Sequence, residues 1–199
     1  MIGNGTDYTE RKKSKAVFLD RDGTLNTDSA EYIKSRNEFR LFDFTGEALA
    51  ILTRLGYKNI VITNQSAVGR KMLTVEDLDA IHAKLRQELQ KAGAVLDDIY
   101  YCPHLPEDEC DCRKPKTANL VQAIAEHDVE IAESFFIGDS YKDIQTGAAA
   151  GLRTILVQTG LKPLSPEQIA AWCPQPDFVA DDLLAAARLI EDLERDRNV

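Results

Sequence analysis

The chain has 199 residues, long enough for one domain with a sizeable core, and its 44% hydrophobic and 29% charged content is that of an ordinary soluble globular protein. A formal net charge of -9 argues against a general binder of nucleic acid or of anionic membranes. No run approaches the roughly 18 apolar residues of a membrane span, no secretory signal precedes the domain, and the four cysteines point to a reducing, cytoplasmic setting.

Residues 1–15 are polar and are expected to be a flexible N-terminal segment before a single domain over 16–199. Ala16-Val17-Phe18-Leu19 is a short continuous apolar run and predicts a buried parallel-type strand. It runs into Asp20 and Asp22, with Gly23 letting the backbone turn away. Residues 26–41 have no clean period and predict an irregular flap beside these acids. Apolar spacing predicts a helix over 45–55, stopped at Gly56, and a second buried strand over 59–66 that carries Thr63 and Asn64 to the same sheet edge.

Residues 74–92 give the clearest helix, with a capping-box pair at Thr74 and Asp77 and an apolar stripe of Leu78, Ile81, Leu85 and Leu89. His82 lies beside that stripe with no visible partner and reads as structural. Residues 95–101 predict a third strand. A helix follows over 117–126, with Leu120, Val121, Ile124 and Ala125 on one side. Phe135-Phe136-Ile137-Gly138 predicts a strand ending at Asp139, with Asp143 one turn later, where the macrodipole also favours an acid. A small-residue helix ending at 148–151 is expected to pack closely on the sheet. Strands at 153–157 and at Phe178-Val179, a short helix within 163–171 and a final helix capped by Asp181 complete an alternating pattern. The pattern is that of an α/β chain with a mainly parallel sheet.

Two clusters carry chemistry. Paired acids at strand ends repel one another unless a cation or shared proton relieves them, and strand C-termini are where open α/β sheets bind ligands. Between the third strand and the following helix, Cys102, His104, Cys110 and Cys112 form a Cys₃His set, the count of a closed structural zinc site. The alternatives are free thiols or a disulfide, which C-x-C spacing and a reducing compartment disfavour. Cys173 is left over and reads as a packing residue. Arg113 and Lys114 follow the last cysteine; they read either as a solvated basic turn or as a fixed patch that receives an anion.

Asp20-Arg-Asp22-Gly-Thr24, strand-terminal Thr63, Lys114-Pro115 and Gly138-Asp139 with Asp143 resemble, in order, the four motifs of the haloacid-dehalogenase superfamily, over residues 16–157. The C-x-H…C-x-C loop and the Arg-Lys-Pro after it resemble the small phosphatases of that superfamily that act on heptose bisphosphates and histidinol phosphate. The resemblance implies a Rossmann-like three-layer sandwich with a minimal cap and a zinc-stabilised loop. It also implies a Mg²⁺-dependent phosphomonoesterase working through an aspartyl-phosphate. Asp20 would be the nucleophile and Asp22 the general acid and base. Thr63 and Lys114 would hold the phosphoryl group. Mg²⁺ would sit on Asp20, the Asp22 carbonyl and Asp139, with Asp143 acting through another ligand or a water. Arg113, Asn64, Gln65, Ser66, Asp28 and Arg70 are candidates for gripping the rest of a small phosphorylated sugar. The expected partner is that substrate, with no nucleic acid or membrane and a monomeric chain. Asn26 and the Thr63-Asn-Gln-Ser66 run with Arg70 resemble the heptose-bisphosphate members more, which implies removal of the 7-phosphate of heptose 1,7-bisphosphate, in precursor synthesis for lipopolysaccharide or a surface glycan. Histidinol phosphate is the alternative, and a polynucleotide 3′-phosphatase or a non-catalytic zinc-knuckle module are remoter ones.

Overall fold

In the computed structural model, residues 13–197 are described. The expected flexible segment lies outside the described residues up to position 12. Beyond it, Ser14 bridges Val129 and Lys15 already opens β1 (Lys15–Leu19).

The sheet has six strands: β1, β2 (Tyr57–Asn64), β3 (Asp98–Cys102), β4 (Phe135–Gly138), β5 (Arg153–Val157) and β6 (Phe178–Ala180). Their spatial order is β3-β2-β1-β4-β5-β6, and every pairing is parallel. This is the doubly wound order, whose topological switch lies beside β1. Along β1, Val17 and Leu19 enter one core with helices α1 (Thr45–Arg54), α3 (Val75–Lys91) and α7 (Leu183–Arg197). Ala16 and Phe18 enter the other, with Ile60, Ile62 and Phe136 and with Leu120 and Ala123 of α4 (Ala118–Glu126). A period of two along a strand buried on both faces thus yields three layers.

Several elements depart from their sequence expectation. The second strand stops at Asn64, and Ser66 begins a four-residue helix, α2 (Ser66–Gly69). The third strand starts at Asp98 rather than 95, because pairing with β2 begins at Ile60 opposite Asp98, and Val95 stays exposed. On α4 the buried residues are Leu120 and Ala123; Val121 faces solvent. The small-residue helix α5 (Tyr141–Ala149) does pack closely on the sheet as expected, through Gly147, where a Cβ would lie 2.7 Å from Phe136 Cβ. After the short helix α6 (Pro166–Ala170), Cys173 is exposed, not packed; its backbone N–H donates to the Tyr141 hydroxyl at 3.3 Å. The last helix is capped by Asp182, whose Oδ1 accepts from the Ala185 N–H at 2.8 Å, and not by Asp181. The Thr74 capping box is present, and Gly56 ends α1 with φ +83°. No described helix is long and apolar enough to cross a membrane.

Candidate active site

β1 and β4 are neighbours, so their C-terminal ends place Asp20 and Asp139 side by side. The Asp20 N–H extends the ladder by donating to the Ile137 carbonyl at 3.0 Å. Asp143 arrives from the first turn of α5. Single carboxylate oxygens of Asp20, Asp139 and Asp143 all lie within 4.8 Å of one another. Lys114 Nζ enters from the loop beyond β3, 2.9 Å from Asp20 Oδ1 and 2.6 Å from Asp143 Oδ1, with its side chain only 3% exposed.

The electrostatics follow from this crowding. Burial pushes the Asp20 carboxyl up to about 6 against the pull of Lys114. Burial, then Asp143 and Asp20, push Asp139 up to about 8. Burial opposes the charge on Lys114, but Asp143 and Asp20 outweigh it and hold the amine protonated well above its ordinary range. The donor set is all carboxylate oxygen, and too little positive charge faces three acids. Backbone also closes in: a Cβ at Gly23 or Gly160 would sit 2.6 or 2.4 Å from Asp139 Oδ2. Such a set fits a hard divalent cation with retained waters. Asp143 has both oxygens engaged, Oδ1 by Lys114 and Oδ2 by the Ser140 N–H at 3.1 Å and hydroxyl at 2.5 Å.

Asp22 is different in kind. Its carboxylate accepts from Arg21, from Asn26 Nδ2 at 2.9 Å and from Gln65 Nε2 at 2.9 Å. Although burial raises it, Arg21 and these donors keep Asp22 below the usual carboxylate range.

A cleft of about 320 Å³ opens over these groups. Asp20, Asp22, Asp28, Thr63, Asn64, Lys114 and Asp139 line it, all expected from sequence. Arg113 lines an adjoining cavity of about 280 Å³ with Lys114 and Lys142. Gln65, Ser66 and Arg70 lie outside the cleft lining. Gln65 and Ser66 are buried, Gln65 bonding Thr63 Oγ1 at 3.0 Å as well as Asp22; Arg70 Nε donates to the Tyr32 hydroxyl at 2.9 Å. Asn64 faces the cleft, but its amide clamps Lys114: Nδ2 donates to the Lys114 carbonyl at 3.1 Å and Oδ1 accepts its N–H at 3.0 Å. Lys142, Tyr32 and Leu161 also line the cleft and were not among the site residues expected from sequence. Lys142 sits three residues past Asp139, a spacing that could have flagged it.

Beside the site, one ligand atom from each of Cys102, His104, Cys110 and Cys112 lies within 4.8 Å of the others. Cys102 Sγ to Cys110 Sγ is 3.5 Å and His104 Nδ1 to Cys112 Sγ is 3.2 Å, and all four cysteines of the chain are free thiols. Three thiols and one imidazole at these separations fit a tetrahedral zinc site. The His104 carbonyl accepts from Arg113 Nη1 at 3.2 Å, so the same loop orients Arg113.

A doubly wound parallel sheet with an acid from each of its two central strands, and a lysine paired with the first of these and with an acid of the following helix, defines a haloacid-dehalogenase-type hydrolase. The family model for HAD-hydrolase-like proteins matches residues 111–186. A D-glycero-beta-D-manno-heptose-1,7-bisphosphate 7-phosphatase of Neisseria meningitidis is 36% identical over 176 residues, covering 88% of this chain and 94% of the relative. A D-glycero-D-manno-heptose-1,7-bisphosphate 7-phosphatase of Chlorobaculum tepidum is 39% identical over 191 residues, with 88% and 93% covered. The crystal structure of D,D-heptose 1,7-bisphosphate phosphatase from Bordetella bronchiseptica, complexed with magnesium and phosphate, superposes with a TM-score of 0.82 at 36% identity, covering 89% of this chain and 98% of that one. The chain belongs to the family of HAD-like hydrolases that contains these heptose-bisphosphate phosphatases.

Proposed function

We propose that this single catalytic domain, residues 16–199, removes the 7-phosphate of D-glycero-D-manno-heptose 1,7-bisphosphate in the making of a nucleotide-activated heptose. The observation that carries the reading is Lys114 Nζ held between Asp20 and Asp143, with Asp139 beside them, at the floor of a small polar cleft. The relatives of known activity share this substrate.

Asp20 attacks phosphorus and forms an acyl phosphate, splitting one displacement into two. Asp22, pushed back up toward its protonated form by the negative charge of the bound phosphate, gives a proton to the departing sugar oxygen, then takes one from the water that cleaves the acyl phosphate. Thr63 and Lys114 hold the phosphoryl oxygens as negative charge builds on them. Asp20, Asp139 and the Asp22 carbonyl are the residues to hold Mg²⁺, and Asp143 supports them by orienting Lys114. Bound there, Mg²⁺ neutralises phosphate charge and lets an anionic nucleophile approach. Arg113 is the residue to grip the substrate's distal end, since a guanidinium suits bidentate phosphate recognition. Asp28 is placed in the cleft to meet a sugar hydroxyl. Zn²⁺ on the four-ligand loop is structural.

The test is phosphate release, with Mg²⁺ present, from heptose 1,7-bisphosphate, histidinol phosphate and a 3′-phosphorylated oligonucleotide. The heptose ester should be cleaved with the highest kcat/KM. Preference for either other substrate overturns the substrate assignment, and Asp20→Asn retaining turnover overturns the mechanism.

A further inference from the structure

Arg21 is the bulkiest side chain with no exposed surface among the described residues. A guanidinium carries five donors and no acceptor, so each buried N–H needs a partner. Nε and Nη2 donate to Asp22 Oδ1 at 3.0 and 2.9 Å, and Nη2 also donates to Oδ2 at 2.8 Å. Nη1 lies 3.3 Å from Nε2 of His82, in the middle of α3. Because Arg21 can only donate, the facing His82 nitrogen is the bare acceptor and the ring proton is on Nδ1. Burial, then Arg21, hold His82 protonation down to about 3, in keeping with a neutral ring. Tyr101 of β3 backs the imidazole, with ring centroids 5.9 Å apart.

We propose that His82 is a positioning residue for the reaction: it fixes the guanidinium of Arg21, which fixes the carboxyl of Asp22 where the leaving oxygen is protonated. The inference deepens the phosphatase reading and rests on it. Without the His82 acceptor, a buried Nη1 is left unpaired, and the guanidinium must turn to satisfy it. Turning breaks the bidentate fork, which is the geometry that fixes both oxygens of Asp22 at once. Small displacements of a proton donor cost much of its effect. The role separates from simple packing because it acts through one proton transfer. An alkyl alcohol leaves badly without a proton, whereas 4-nitrophenolate leaves unaided. Because kcat/KM reports only steps up to phosphorylation of Asp20, the two leaving groups isolate the contribution of Asp22.

The experiment measures kcat/KM of His82→Leu and His82→Gln with heptose 1,7-bisphosphate and with 4-nitrophenyl phosphate. His82→Leu should lose about tenfold on the sugar ester and less than twofold on the aryl ester, a part of the usual general-acid contribution. His82→Gln, which offers an amide oxygen to Nη1, should recover most of the loss. If leucine prevents folding, His82→Asn, polar but too short to reach, replaces it in the comparison. Equal losses on both esters, no loss, or a glutamine variant as poor as leucine or asparagine overturns the proposal. A wild-type protein that cleaves neither ester overturns the phosphatase reading instead.

Discussion

At Lys114, two acids at 2.9 and 2.6 Å keep one ammonium charged inside the protein. Removing the amine leaves Asp20, Asp139 and Asp143 facing one another in a buried space. Lys114→Met should therefore lower turnover at least about 10²-fold, since charge stabilisation in a dry site is worth several kcal/mol. Without Mg²⁺ it should also unfold about 3 kcal/mol more easily, because an orphaned buried charge is costly. Denaturant titration with and without Mg²⁺, beside steady-state kinetics, checks both. His82 makes a separate prediction about pH. Its protonation is held from an ordinary 6.5 down to about 3, so the unfolded chain binds a proton that the folded chain refuses. This contribution to stability is complete above pH 6.5 and is lost as the pH falls toward 3, by at most about 1.4 kcal/mol per pH unit. His82→Gln should flatten the fall in denaturation midpoint between pH 6.5 and 5 relative to wild type; parallel curves would refute it. Single residues were also where sequence reading was most often redirected. Asn64 and Gln65 follow Thr63 directly, yet their amides hold Lys114 and Asp22 in place. Which way an amide turns depends on what the fold brings opposite it.

Among the elements, α5 shows how tightly a helix must sit to carry Asp143 into the site. Gly147 lets the helix approach until a Cβ would meet Phe136 Cβ at 2.7 Å and Thr154 Cγ2 at 2.8 Å. Gly147→Ala gains helix propensity, worth about 1 kcal/mol, but overpacks backbone-fixed neighbours at a cost of about 1–3 kcal/mol. The net effect should be a lower Tm and weaker Mg²⁺ binding as Asp143 moves; a raised Tm would show that the helix shifts freely. The sequence pointed to close packing of this small-residue helix, but not to which of its residues makes the approach, since small residues look alike without a neighbour to select among them. The helix from Val75 to Lys91 was legible throughout, because its cap and its stripe are both local patterns. The start of β3 was not: residues 95–97 have strand-like composition, but pairing with β2 begins only at Asp98.

Over the whole molecule, the Cys₃His loop runs directly into the two cations at the catalytic site. Arg113 is tied to the His104 carbonyl and Lys114 to Asn64, so both cations hang from the strip of chain that zinc would fix. Chelating zinc should lower turnover and raise KM, while the β1 end keeps its Mg²⁺ affinity and the far-ultraviolet dichroism barely changes. Full activity in zinc-stripped, Mg²⁺-replete protein would refute the coupling. The alternation of buried strands with helices, the acids at strand ends and the metal-ligand spacing were all readable from the chain, because each depends on residues close together in sequence. The spatial order β3-β2-β1-β4-β5-β6 was not, nor was the meeting of Arg21 with His82 across 61 positions. Local patterns encode strands, helices, caps and ligand sets through short-range geometry. Which side chain satisfies a buried donor or acid is decided only when distant segments pack and exclude water, and that step built the carboxylate cluster, the lysine between its acids and the support behind Asp22.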